Sequence, residues 1–430
     1  MNTVCHCPAL MIAAPASGQG KTTITAALAA YHRKRGRRVR VFKTGPDFLD
    51  PMILQRASGQ PVYQLDLWMG GEEHCRAQLY DAAQHADLIL VEGVMGLFDG
   101  HPSSADVAAA FNLPVLAVLD AGGMAQTFAA LALGMANLRD DVRVMGMFAN
   151  RVGSERHREM LCEYLPPELP LYGWMPRDAG FALPERHLGL LQASEIADLM
   201  ARIDHAADAL HLSGDDLPAP VAFAEQPSLR TPELLGGVKI AVARDTAFAF
   251  LYQANLDTLG ALGARLEFFS PLGDETMPEA DALYLPGGYP ELHLAQLSAN
   301  QAMQHSIRSH HAQGKPILAE CGGMLYLLDS LTDSAGNSVA LAGLLPGRAT
   351  MQKCFANLGM YSITLPEGVL RGHSFHYSRM ETDIEPLALS AGARPGSKEE
   401  PAYRSGRLHA SYMHHYFPSN PEAAARLFMP

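Results

Sequence analysis

Cys321 is followed by Gly322 and Gly323 and preceded by the apolar run 317–319. A cysteine at such a junction is suited to nucleophilic chemistry. The small residues after it permit a strained strand-to-helix bend that lifts a thiol off a sheet, and the helix start behind it favours the thiolate. The Gly322 amide is then placed to donate into an oxyanion hole, with a second donor from the turn Pro286-Gly287-Gly288-Tyr289-Pro290, Gly288 above all. A nucleophilic thiol also needs a base. Near the end of the chain, Ala410-Ser411-Tyr412-Met413-His414-His415-Tyr416-Phe417 offers two histidines. The ordinary fate of a free cysteine is a small buried thiol, and the bend weighs against it here.

A second chemistry is written near the start. Ala14-Pro15-Ala16-Ser17-Gly18-Gln19-Gly20-Lys21-Thr22-Thr23 follows an apolar run and opens a helical pattern. Gly18 and Gly20 let the backbone curl so that amides from Ser17 to Thr23 face a phosphate. Lys21 reaches the outer phosphates of ATP, and Thr22 ligates magnesium. Pro15 stands where the strict phosphate-loop pattern has glycine, so the match is to a deviant loop. Two acidic segments each fall at the end of a strand pattern. They are Lys43-Thr44-Gly45-Pro46-Asp47-Phe48-Leu49-Asp50 and Val91-Glu92-Gly93-Val94-Met95-Gly96-Leu97-Phe98-Asp99-Gly100. Ligands of open parallel sheets bind beyond the strand carboxyl ends. Asp47 and Glu92 are therefore expected as magnesium ligands beside Thr22. Lys43 is expected to neutralise a substrate carboxylate, with Asp50 and Asp99 on the following loops as further substrate-binding residues. For any one of these acids a turn or helix cap is the commoner role; four acids in two matched loops favour the site.

These residues need two scaffolds. In the first half, strand patterns at 10–14, 39–44, 87–94, 114–120 and 142–150 alternate with helical patterns after Gly20 and at 72–85, 104–111 and 126–138. Strands apolar throughout and alternating with helices imply a parallel, doubly wound sheet covered on both faces. A second α/β series begins at 238–243. It continues with a helix at 250–262, strands at 264–269, 282–285 and 316–319, and a helix at 323–331. Between them, 213–232 is rich in Pro, Ser, Asp and Glu. The expected division is therefore an ATP-binding phosphate-loop domain over 1–212, a linker over 213–235 and a second domain over 236–430.

At 430 residues the chain exceeds a single core, and its hydrophobic content of 48% excludes disorder. A net charge of −12 disfavours nucleic-acid partners, and the basic run from Arg33 to Arg40 reads as a solvated helix end. The stretch 113–138 is interrupted by Asp120 and two glycines, so no membrane span is expected. The six cysteines lack a disulfide framework and no secretory signal precedes them, which fits a cytoplasmic protein. Cys5-His6-Cys7 lacks a second ligand pair at zinc spacing and reads as a frayed terminus, and His6, His74 and His293 as structural. Composition leaves a homodimer open.

The order of Gly-Gly turn, cysteine bend and late histidine resembles the class I glutamine amidotransferases over about residues 238–418. That resemblance implies that Cys321 attacks the side-chain amide of glutamine and that His414 is the base, with His415 a lesser alternative. Many members carry Glu where this chain has Tyr416. The same absence marks the subgroup that amidates corrin rings, and the motifs at 14–23, 43–51, 91–100, 285–291 and 320–324 resemble the cobyrinate and hydrogenobyrinate a,c-diamide synthases nearly end to end. The fold implied is a dethiobiotin-synthetase-like phosphate-loop domain followed by a flavodoxin-like amidotransferase domain. The reaction implied is ATP- and glutamine-dependent amidation of the corrin a and c carboxylates, through acyl phosphates, in cobalamin biosynthesis. Ser374 departs from the family, which often has Glu there. His376 and Tyr377 are expected to line the region between the domains, with core packing as the rival role. The alternatives are cobyrate synthase, a nickel-sirohydrochlorin a,c-diamide synthase and, more distantly, an ATP-binding switch without catalysis.

Overall fold

In the computed structural model the described residues are 3–186, 189–213, 217–226 and 232–430. The chain divides into two compact units, Met1–Ser228 and Leu229–Pro430.

The first unit is built on β1 (Val4–Ala13), β2 (Val39–Thr44), β3 (Tyr63–Leu65), β4 (Leu88–Glu92), β5 (Val115–Asp120), β6 (Val144–Val152) and β7 (Leu171–Pro176). Their order across the sheet is β7-β6-β5-β1-β4-β2-β3, all parallel. Helices α1 (Lys21–Lys34), α2 (Leu49–Ser58), α3 (Glu72–His85), α4 (Ser104–Ala110), α5 (Thr127–Asn137), α6 (Glu155–Cys162) and α7 (Leu199–Asp208) cover it. The alternation of strand residues decides which core each joins. Cys7, Ala9, Met11 and Ala13 of β1 pack with α3, α4 and α5, while Leu10 and Ile12 pack with α1, α2 and α7. Two buried faces leave no place for a polar stripe, hence the continuous apolar runs.

Two expectations about this unit are corrected. The 213–235 segment is not featureless, because Pro220–Ala224 forms a strand antiparallel to the start of β1, from Val4↔Ala224 to Pro8↔Pro220. Cys5, His6 and Cys7 consequently lie in a paired strand rather than a frayed end. The partner strand lies too far along the chain for local pattern to reveal it.

The second unit carries a seven-stranded sheet among the described residues, in the order Arg265–Phe269, Lys239–Ala243, Ala282–Leu285, Ile317–Glu320, Leu408–Ser411, Pro401–Ser405, Ala388–Leu389. The first five run parallel, Pro401–Ser405 pairs antiparallel with the fifth, and Ala388–Leu389 pairs antiparallel with Pro401–Ser405. Two further four-stranded sheets occupy most of 328–416. The helix expected at 323–331 ends at Leu327, and Leu328–Thr332 is a strand beside Leu345–Met351. A short apolar run does not distinguish these periods without its neighbour. No helix among the described residues is long and apolar enough to cross a membrane.

Candidate functional site

The phosphate loop spans the gap between the end of β1 and the start of α1. Gly18 and Gly20 adopt φ of 78° and 93°, a left-handed backbone that glycine reaches without strain. Gly20 is also pinned by a neighbour, since a Cβ there would lie 2.2 Å from Asn150 Nδ2. Asn150 Nδ2 donates to the Gln19 carbonyl at 2.9 Å, and Gln19 Oε1 accepts from the Asp120 amide at 2.8 Å. The ends of β5 and β6 thus hold the loop in shape. Gln19 serves that clamp with its side chain. Ser17 and Gly18 are exposed at the loop tip, and Thr23 is half-buried in the first turn of α1. Lys21 curls back over the loop, donating to the carbonyls of Ala16 at 3.1 Å and Met95 at 2.7 Å. Burial, and then the charge of Lys43, lower its pKa. Its neutral partners leave its charge available to an incoming phosphate.

Thr22, Lys43 and Glu92 meet at the ends of β2 and β4. Thr22 Oγ1 donates to Glu92 Oε1 at 3.0 Å, and Lys43 Nζ donates to the same oxygen at 2.8 Å. Lys43 also contacts Asp50 Oδ2 at 2.7 Å and lies 3.8 Å from Asp47 Oδ2. Glu92 is fully buried, and its Oε2 has no hydrogen-bond partner among the described residues. Burial raises its carboxyl to about 7 against the pull of Lys43. At Asp50 burial acts upward too, but Lys43 prevails and holds the group at about 2.

Two of the acids take structural work as well. Asp47 Oδ1 accepts from the amides of Leu49 and Asp50, so it caps α2, and Asp50 lies in the first turn of that helix rather than on a loop. Asp99 is exposed, and its Oδ2 accepts from the Gly96 amide at 2.9 Å, closing the 93–100 loop. That loop is moored by Thr44 Oγ1 and Ser104 Oγ, at 2.8 and 3.1 Å from the Val94 amide. Sequence reasoning passed over Asn150 and Asp120. The available signal was a polar residue closing an apolar strand run, the same signal that marked Glu92.

In the second unit, Cys321 has φ 45° and ψ −108° between the strand Ile317–Glu320 and the helix Gly322–Leu327. This is the strained bend that its neighbours suggested. Its amide donates to Ser411 O at 2.8 Å, and its carbonyl accepts the first helical bond, from Leu325, at 2.9 Å. Glycine is enforced by close approach at 323, where a Cβ would lie 2.1 Å from Leu285 O. The Gly322 amide faces the thiol and favours its charged form.

The Gly287-Gly288 turn touches both this bend and His414. A Cβ on Gly322 would lie 2.9 Å from Gly288 N, and one on Gly287 would lie 2.2 Å from His414 Cε1. The Gly288 N–H meets no backbone acceptor among the described residues. Cys321, Gly322, Gly288 and His414 are therefore gathered around one turn. A Cβ at Gly288 would stand 2.0 Å from Ala247 O. Gly288→Ala is expected to destabilise the protein by about 1–3 kcal/mol and to depress glutamine hydrolysis well beyond that loss. Thermal unfolding and glutamate release measure the two effects.

His414 is buried and stacks on His373, with ring centroids 4.8 Å apart and planes 14° apart. His373 Nδ1 in turn meets Tyr252 Oη at 2.8 Å. Tyr416 packs edge-on against the same tyrosine at 5.3 Å. An aromatic stack thus orients His414. His415 turns away, bound through its amide and Nδ1 to Glu320 Oε1 at 2.9 and 2.8 Å. Burial pushes the Cys321 thiol well up, and burial followed by His373 brings His414 down to about 3. The resting pair is therefore neutral thiol and neutral imidazole. His376 takes the core role, stacked on Tyr412 at 3.6 Å and bonded to Glu400 at 2.8 Å. Ser374 donates to the same Glu400 oxygen at 2.7 Å.

A phosphate loop in one unit and a cysteine bend with its histidine in the other define an ATP-using glutamine amidotransferase. Residues 10–191 match the CobQ/CobB/MinD/ParA nucleotide binding domain, and residues 239–422 match the CobB/CobQ-like glutamine amidotransferase domain. The chain is 59% identical over 429 residues to a hydrogenobyrinate a,c-diamide synthase of Pseudomonas aeruginosa, covering 100% of this chain and 99% of that one. It is 60% identical over 426 residues to the enzyme of that name from Stutzerimonas stutzeri, covering 99% of each. It is 51% identical over 425 residues to a cobyrinate a,c-diamide synthase of Herminiimonas arsenicoxydans, covering 98% of this chain and 96% of that one. The chain belongs to the family of cobyrinate and hydrogenobyrinate a,c-diamide synthases.

Proposed function

We infer that the protein converts the a and c side-chain carboxylates of hydrogenobyrinate to amides, using ATP and glutamine, in cobalamin biosynthesis. The observation that carries this reading is the end-to-end likeness to two hydrogenobyrinate a,c-diamide synthases at 59% and 60% identity. The cobalt ring, cobyrinate, is the second reading, supported by the 51% relative.

A carboxylate is a poor electrophile and hydroxide a poor leaving group, so the acid needs activation. A carboxylate oxygen attacks the γ-phosphorus of ATP, the bond to the β-bridging oxygen breaks, and ADP leaves an acyl phosphate. Loop amides between Ser17 and Thr23, with Lys21, balance charge on the transferring group. Lys43, Asp50 and Asp99 are proposed to face the corrin side chain, with Lys43 as the cation nearest its carboxylate.

Magnesium fits the site beside these groups. Thr22 Oγ1 and the unpartnered Glu92 Oε2 are hard oxygen donors, and Asp47 Oδ2 adds a third nearby. Among the described residues no group of three or more His, Cys, Asp or Glu side chains is arranged to hold a metal. That suits an ion which takes its remaining oxygens from phosphate and water. Bound there, it would neutralise charge on the phosphates.

In the second unit Cys321 gives its proton to His414 and attacks the glutamine amide carbon. The oxyanion so formed is received by the Gly322 and Gly288 amides. Its collapse breaks the C–N bond, His414 returns the proton to nitrogen, and ammonia departs, leaving a thioester that water hydrolyses to glutamate. Ammonia then attacks the acyl phosphate carbon, phosphate leaves, and a proton is lost to give the amide. A cytoplasmic location belongs to the same proposal, supported by six free cysteines.

The test is incubation of the purified protein with ATP, glutamine and metal-free or cobalt-containing cobyrinates, read by mass spectrometry. Hydrogenobyrinate should become the diamide. Conversion of neither corrin would refute the reading, and conversion of the cobalt ring alone would favour the second one.

A further inference from the structure

Glu291 lies in the helical turn Pro290–Leu292, directly after the Gly287-Gly288 turn that touches both the Cys321 bend and His414. Its residue is only 9% exposed. The turn touches the nucleophile bend, for a Cβ on Gly322 would stand 2.9 Å from Pro290 Cδ. Among the described residues no cation pairs with the Glu291 carboxylate, and the donor that faces it is its own backbone amide. Burial raises this carboxyl to about 7.

A buried anion with no counterion is costly, and here it has a chemical consequence. After burial itself, Glu291 is the strongest influence raising the Cys321 thiol, ahead of Glu400 and Glu320. A negative charge beside a thiol opposes the thiolate that the chemistry needs. The neighbouring charged groups do not relieve it, because Glu400 is committed to His376 and Glu320 to His415. A cation brought in by the substrate would remove both the cost and the opposition. Glutamine carries one, its α-ammonium, at the far end from the amide that Cys321 attacks.

We propose that Glu291 binds the α-ammonium of glutamine, and that the ion pair formed there frees the Cys321 thiol for attack. The inference rests on Cys321 being the nucleophile. It makes Glu291 a residue that selects the substrate by charge and keeps the thiol quiet until the correct amide has bound. An amide without an amine would neither pay the desolvation of the carboxylate nor relieve the thiol.

The experiment compares glutamine with glutaramate, the same chain without the amine, as substrates of the full protein. With the wild type, kcat/KM for glutamine should exceed that for glutaramate by at least ~100-fold. In Glu291→Gln that preference should fall to within a few-fold, chiefly through loss on glutamine. The pH profile of Cys321 alkylation by iodoacetamide, without substrate, should lie at lower pH in Glu291→Gln than in the wild type, with thermal unfolding of the variant measured alongside. Equal use of the two amides by the wild type would overturn the proposal, and that measurement needs no variant. So would a variant that keeps its preference for glutamine. If Cys321→Ser still hydrolyses glutamine, the nucleophile assignment fails instead.

Discussion

Cys321→Ser is expected to lower glutamine-driven amidation by at least ~10³-fold while leaving ammonia-driven amidation within about threefold of the wild type. The serine hydroxyl keeps the Cβ position at φ 45°, so the bend gains no new strain. What it loses is acidity and polarisable nucleophilicity. His414, held near 3 by burial and the adjacent His373, is too weak a base to deprotonate an alcohol in compensation. The first unit is untouched, since the phosphate loop and the Lys43 cluster lie wholly within residues 1–228. The assay follows corrin mass with glutamine and, separately, with ammonium chloride at a pH that supplies free ammonia. Loss of both activities together would show that nitrogen release and acid activation are not divided between Cys321 and the phosphate loop.

Glu92→Gln should have the opposite signature, with both nitrogen sources failing by about 10²–10³-fold. One Glu92 oxygen receives Thr22 and Lys43 at 3.0 and 2.8 Å, and the other has no partner. Glutamine preserves the shape and one acceptor but removes the charge. A metal would lose an anionic ligand beside Thr22, and Lys43 would be drawn more strongly to Asp50, at 2.7 Å. ADP release in the presence of corrin and ammonia is the direct readout. Normal ATP turnover in this variant would refute the place given to Glu92. Glutamine hydrolysis by the second unit, where measurable without corrin, should persist because no residue of that site is altered.

Much of both sites is written in local sequence. Gly18, Gly20 and Cys321 occupy positive φ at positions that their strand-loop-helix settings required. Asp47 follows a strand and Glu92 closes one, and the sheet brings Glu92 to Thr22 as the open-sheet rule implies. The same rule was silent on Asp47 as a cap and Asp99 as a turn closer. Those roles depend on which amide happens to face each carboxylate.

Sequence alone determined the two α/β units, the curled phosphate loop, the bend at Cys321 and the family, because backbone conformation and hydrophobic period are set by residues close together in the chain. Tertiary structure alone decided what surrounds those groups. Asn150 reaches Gln19 from 131 residues away, His415 reaches Glu320 from 95, and Tyr252 reaches His373 from 121. Such pairs are fixed by strand register and by the packing of whole sheets, where a shift of one residue turns a side chain to the opposite face. The stack that orients His414 and the lone carboxylate of Glu291 are products of that packing, and no short stretch of the chain encodes either of them.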